Sequence, residues 1–213
     1  MYKFFDPDGL FAKIMNTVLA LIVLNVLWIV CSLPVVTMGA STAALYTVLL
    51  RLRDGNDTKV IRRFFAAFGE NWKQASAVWL VLLAASVVCG LDLYLAAQTQ
   101  STVARVACVV GLVAVAMTAT FTFPLLARFE NTWRNHLKNG ALLALSHAPR
   151  TLLSLALWGG AAVLTVYSFA TMYHMILLWL MLGFSCLSYA TLWIVTPVLR
   201  KLEPAPAEEK EEV

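Results

Sequence analysis

Few side chains in this sequence have the type and spacing to do chemistry, and they lie far apart. Asp92 and Arg105 are charges set in apolar sequence on either side of a short polar turn near Gln98 to Thr102. An ionisable group at membrane depth is a functional candidate by default. Their similar distance from the turn predicts an ion pair across it, with a proton or substrate path as the sharper alternative. Asn25 is a lone amide inside the first apolar run. Such a residue most often hydrogen-bonds a neighbouring helix. His136 and His147 have no third ligand at zinc-like spacing, and His174 reads as a solvated loop residue. Cys31, Cys89, Cys108 and Cys186 all fall in apolar runs without CxxC spacing, which predicts buried thiols. Asp6-Pro7-Asp8-Gly9 opens like a calcium loop, but Thr17 stands where that loop needs a glutamate, so a helix-capping turn is expected. There is no glycine-rich phosphate loop and no nucleophile beside a base. The expectation is no catalytic residue, no cofactor and no metal: not an enzyme, and not itself a transport ATPase.

The elements that must position these residues are membrane helices. Hydrophobic residues make up 61% of the 213 and charged residues 13%, against the roughly one quarter charged in soluble domains. The net charge of +4 sits in short loops, so it reports orientation and not nucleic-acid binding. A span needs about 20 predominantly apolar residues. The pattern predicts an all-α polytopic membrane helical bundle of six helices, five full spans plus a short second helix. They are placed at 14–33, 38–53, 71–97, 102–128, 150–171 and 174–200, in one membrane domain over 1–202. The first run begins after Lys13 and exceeds a signal-peptide core in length, so it is expected to be retained. Pro34 ends it, and Ala40, Ala43, Ala44 and Thr47 give the second helix a small face for close packing. The charged, proline-bearing tail over 203–213 is expected to be disordered. "FPLLARFE" and "TPVLRKLE", with Pro124 and Pro197 73 positions apart, suggest a duplicated hairpin unit.

Basic residues cluster between Arg51 and Lys73, between Arg128 and Arg150, and at Arg200 and Lys201. By the positive-inside rule these regions, and the C-terminus, are expected to be cytoplasmic. The N-terminus joins them if the second helix crosses back. The other connections fall near Gln98 to Thr102 and near Tyr173 and His174. In the first basic loop Val60, Ile61, Phe64, Phe65 and Phe68 share a helical face, with Arg62 and Arg63 largely off it. An amphipathic helix over 58–69, lying at the inner interface or on a partner, is the expectation. In the second loop Glu130 and Arg134 have helical pair spacing, and Asn131, Asn135 and Asn139 repeat every fourth residue. Arg62, Arg63, Phe64, Phe65, Phe68, Glu130, Asn131, Arg134, Asn135 and Asn139 are therefore the candidate docking residues. Asn25, Asp92 and Arg105 are the candidate intramembrane polar residues.

"FFDPDGL", "LPVVTMGASTAALY", "RRFFAAFGENWKQA" and "FPLLARFENTWRNHLKNG", in this order, resemble the YesL-like bacterial membrane proteins. The resemblance runs from Phe4 to Gly140. It implies a small polytopic protein of the bacterial cytoplasmic membrane, chiefly Gram-positive, often encoded beside sugar ABC importers and carbohydrate-sensing systems. It carries no catalytic residues over. The expected partners are the lipid bilayer and ABC permease subunits of a sugar importer. The expected role is a non-enzymatic accessory subunit, with an autonomous small-solute transporter or channel as the alternative.

Overall fold

A computed structural model describes residues 10–55, 59–99, 101–167 and 169–202. The Asp6–Gly9 turn and the 203–213 tail lie outside the described residues. Those described form helices joined by short connections, with no strand among them. They are α1 (Leu10–Cys31), α2 (Met38–Arg53), α3 (Val60–Gln98), α4 (Thr102–Arg128), α5 (Trp133–Ser146), α6 (Ala148–Val166), α7 (Phe169–Leu178) and α8 (Phe184–Leu199). Six helical stretches are long and apolar enough to cross a membrane. Val87, Leu91, Val106, Val110, Leu153 and Leu164 are among many large apolar side chains left exposed. In water such a surface would drive association; in a bilayer it is the lipid contact. The chain is an all-α, multi-pass membrane protein.

Pro34 separates α1 from α2. A single 3-10 turn, Val35–Thr37, makes the reversal. The Thr37 hydroxyl donates to the carbonyls of Cys31 at 2.7 Å and Pro34 at 2.8 Å, covering acceptors that the helix end leaves open. α2 then returns between its neighbours. Every residue from Gly39 to Tyr46 is buried, and Ala40, Ala43 and Ala44 have no exposed surface. Gly39 is required here: a Cβ at that position would run into the Ala75 carbonyl and the Trp79 Cβ on α3. Small residues let helix backbones approach closely where lipid supplies no hydrophobic drive.

α3 differs from its expected form. A separate amphipathic helix over 58–69 and a span from 71 are replaced by one helix of 39 residues, about 58 Å long. No proline interrupts it, and Gly69 sits in open space, a weak break. Asn71 reinforces continuity by donating to the Ala67 carbonyl. The first half of α3 therefore packs along α2. The Trp79 indole donates to Val35 at the α1–α2 turn, at 2.8 Å. From Trp79, α3 runs on to Gln98, about 28 Å further, paired there with α4. The α3–α4 hairpin thus extends well past the end of the α1–α2 hairpin.

α4 leaves its helix at Phe129, whose backbone is extended. The Thr132 hydroxyl then accepts from the Asn135 amide and starts α5. Pro149 sits in the first turn of α6, where its missing donor costs nothing. The last apolar span, His174–Leu202, has nearly the expected bounds, but the helix begins before it. The connection placed near Tyr173 and His174 falls inside α7, because one histidine in an apolar run does not break a helix. The α6 helix ends at Val166 instead. Between α7 and α8 a π-helical segment, Trp179–Gly183, interrupts the regular ladder. Two buried clusters hold the bundle. The larger surrounds α2, with Leu24, Phe64, Val78, Phe123 and Leu192. The smaller joins Phe121 and Leu125 of α4, Ala144 of α5, and Val195, Val198 and Leu199 of α8. The two proline-containing segments of like sequence thus end side by side.

Candidate functional site

Asn25 makes the most specific polar contact in the bundle. It has no exposed surface. Its amide nitrogen donates to the carbonyls of Trp179 at 2.8 Å and Leu180 at 2.9 Å. Its carbonyl oxygen accepts from the Ser185 amide at 3.0 Å. Ser185 in turn donates through its hydroxyl to Leu21 at 2.8 Å. A π segment shifts the backbone ladder and leaves groups without regular partners. Asn25 supplies those partners, so it braces α1 against the irregular segment and lines no path.

Asp92 and Arg105 do not pair. The Arg105 guanidinium donates to the carbonyls of Ala96 at 3.2 Å and Ala97 at 3.1 Å. These are acceptors in the last turn of α3, the negative end of its dipole. Asp92 lies just over one turn before these carbonyls and is exposed. The long cation serves as a helix cap instead of a counter-ion.

The docking candidates sort into three groups. Phe64 belongs to the core, with no exposed surface, and stacks toward Phe68 with centroids 6.4 Å apart. It cannot face a partner, because α2 covers that side of α3; Phe68 is partly buried against the same cluster. Arg63 is half-buried and already interacts within the chain. Ile61, Arg62 and Phe65 remain exposed, Phe65 by half of its surface. Around α5, Glu130 and Arg134 form no helical pair. Glu130 precedes the Thr132 cap, outside the helix, and Arg134 lies over the Trp133 ring at 5.1 Å. Asn131 also precedes the helix. Its side chain accepts from the Thr132 amide and from the Asn135 side chain, both at 2.8 Å, and its carbonyl accepts from Gln74 of α3. Asn139 is exposed on α5. The expected amide stripe is therefore partly a capping device that ties α5 to α3. His136, on the inner side of α5, is 2% exposed, and burial holds its imidazole below the ordinary pKa.

Two cavities were not expected. One, of about 290 Å³, is lined by Trp28, Tyr46, Trp79, Trp158, Phe184 and Thr191, among others. Trp28 stacks on Phe184 at 3.6 Å between centroids. The Trp28 and Trp158 indoles donate to Thr42 at 3.1 Å and Thr191 at 3.0 Å. The only signal in sequence was tryptophan inside apolar runs, away from the headgroup belts it usually prefers. The other cavity, about 590 Å³, opens between the start of α1, the end of α2 and the start of α3. Lys13, Lys59 and Arg62 all line it, which no local pattern relates. Near it Arg53 lies over the Trp193 ring at 4.6 Å, and Asp54 pairs with Arg200 at 3.6 Å.

Residues 21–93 match a family model described as "Protein of unknown function, DUF624". The chain is 32% identical over 157 residues to the "Uncharacterized protein YesL" of Bacillus subtilis (strain 168), covering 71% of this chain and 74% of that protein. The chain belongs to this family. The DUF624 match begins inside α1 and ends inside α3. It takes in Asn25, the whole of α2, Phe64 and Asp92, so it covers the best-packed part of the bundle and stops before α5. No solved structure matches this chain.

Proposed function

We propose that this protein is a non-enzymatic accessory subunit of the bacterial cytoplasmic membrane, which holds a partner complex at the basic end of its bundle. The partner class is the permease subunits of a carbohydrate ABC importer or a sugar-sensing system; that setting comes from the family resemblance. The observation that carries the docking role is the exposed Ile61, Arg62 and Phe65 stripe on a helix whose other face is locked into the core. Asn131 and Gln74 tie α5 to the same helix further along it, and the exposed Glu130, Arg134, Asn135 and Asn139 offer a second group of polar contacts there. Meanwhile Asn25, Ser185, Thr42 and Thr191 are all engaged in internal hydrogen bonds, which suits bracing. Orientation follows the charges. The basic residues from Arg51 to Lys73, from Arg128 to Arg150 and at Arg200 support a cytoplasmic side for these regions, and Lys13, which lines a cleft with Lys59 and Arg62, supports the same side for the N-terminus.

Affinity purification from native membranes after crosslinking tests this. Permease subunits are expected with the wild-type protein and absent with Phe65→Asp plus Arg62→Glu. Recovery of the same partners by that variant would refute the docking surface. A second reading, small-solute transport, rests on the aromatic cavity. It requires flux by purified protein in liposomes that Trp158→Ala or Tyr46→Phe changes. Asp92, exposed on the outside of α3, is not part of that path.

A further inference from the structure

We propose that the cleft between α1, α2 and the start of α3 binds one anionic glycerophospholipid, its headgroup against Lys13 and Arg62 and an acyl chain along α1. The cavity of about 590 Å³ falls within the roughly 300–1,000 Å³ typical of small-molecule sites. Its lining is divided. Lys13, Lys59 and Arg62 give one part positive charge, with Asn16 beside them. Leu19, Ala20, Val23, Leu52, Val60 and Ile61 make the rest apolar. Among the described lining residues there is no carboxylate. The nearest acid in the described sequence, Asp54, is engaged by Arg200 at 3.6 Å. Lys59 also interacts elsewhere in the chain, so the headgroup is assigned to the other two cations, both exposed.

Like charges converging on one small space repel, and a phosphate between them relieves that repulsion. A free phosphate would use only the cationic part and leave the apolar wall in water. A lipid uses both, and exposed Ile14, Met15 and Leu19 on α1 continue the apolar surface beside the cleft. A zwitterionic headgroup would bring its own cation toward Lys13 and Arg62. Charge therefore selects a net negative lipid such as phosphatidylglycerol, in line with the general attraction of membrane-proximal basic groups for anionic lipids. The cleft shares Ile61 and Arg62 with the proposed docking stripe, while Lys13 and the α1 wall belong to the cleft and Phe65 does not line it, so the Ala20 and Phe65 variants separate the two roles.

Native mass spectrometry of the full chain in mild detergent tests it, with phosphatidylglycerol and phosphatidylcholine of matched acyl chains. Preferential retention of phosphatidylglycerol is expected. Lys13→Gln combined with Arg62→Gln should lower that retention by roughly tenfold or more, and Lys138→Gln, an exposed cation on α5, should leave it unchanged. Ala20→Trp, which fills the apolar wall, should reduce retention of phosphatidylglycerol with the cations intact. Unaltered melting of the variants without added lipid keeps a folding defect apart from a binding defect. Equal retention of the two lipids, or an unaffected double variant, would overturn the proposal. So would displacement by millimolar inorganic phosphate, which would hand the cations to a soluble phosphate ligand.

Discussion

The α1–α2 hairpin and the outer half of the α3–α4 hairpin are built from similarly apolar sequence, yet they do opposite work. α2 is enclosed by protein on nearly every side. The outer halves of α3 and α4 present Val87, Val88, Leu91, Val106 and Val110 outward. The contrast shows that apolarity alone does not make a core in a membrane protein. Lipid is as apolar as leucine, so the enclosed helix is the one with small residues for close approach and polar groups to join. Gly39, Ala40, Ser41, Thr42, Ala43 and Ala44 supply these in α2 as one unbroken buried run, whereas the small residues of the outer α3–α4 pair, such as Ala84, Ala85, Gly90, Ala104, Ala107 and Gly111, are interspersed with exposed valines and leucines.

The largest expected effect breaks the packing beside the first hairpin. Phe64→Ala should destabilise by roughly 3–5 kcal/mol, the usual cost of emptying a fully buried aromatic site. Phe65→Ala, one residue on but half exposed, should change stability by less than about 1 kcal/mol. Denaturation in detergent measures both; equal losses would mean that the first half of α3 is not docked on α2. A glycine pair sharpens the comparison directly. Gly39→Ala forces a Cβ against backbone on α3 and should cost roughly 1–3 kcal/mol. Gly90→Ala, in open space on the outer half of α3, should be neutral or stabilise by up to about 1 kcal/mol. Matching melting shifts would erase the distinction between the two hairpins.

A polar pair comes next. Asn25→Leu leaves two carbonyls and one amide around the π segment without partners, for a loss of roughly 1–3 kcal/mol. Asp92→Asn should leave melting nearly unchanged, because Arg105 already caps α3 through Ala96 and Ala97. A stability loss from Asp92→Asn as large as that from Asn25→Leu would reverse these assignments. The smallest effect lies outside both hairpins, at His136. Burial lowers its pKa in the folded protein, so its neutral form is favoured there. The unfolded chain takes up the proton first. Its contribution is therefore fully present above the ordinary value of about 6.5 and is lost as pH falls below it, at up to about 1.4 kcal/mol per pH unit. A pH series of thermal melts should show this acid slope, and His136→Gln should flatten it.

Much of the fold is visible in residue type and run length. Uncharged stretches longer than a span mark the apolar helices, and Pro34 marks the reversal after α1. The small residues of α2 announce close packing. The candidate site was harder to read because its residues depend on phase and partner. Ile61, Phe64, Phe65 and Phe68 share a face by periodicity, but only the position of α2 decides that Phe64 turns inward and Phe65 outward. Glu130 and Arg134 have helical spacing, yet Thr132 starts α5 between them, so the spacing is not used.

By itself the sequence determined that the chain crosses a membrane repeatedly, because water cannot hydrate so many consecutive apolar residues and the backbone must bond to itself as helix. It also marked which loops are basic. Only the tertiary structure decided what each polar group inside the apolar runs does. Asn25 finds a π segment more than 150 residues away, Arg105 finds carbonyls and not a carboxylate, and Lys13 lines one cleft with Arg62. Such contacts join groups distant along the chain, and hydropathy, which sums neighbours along one helix, contains no term for them.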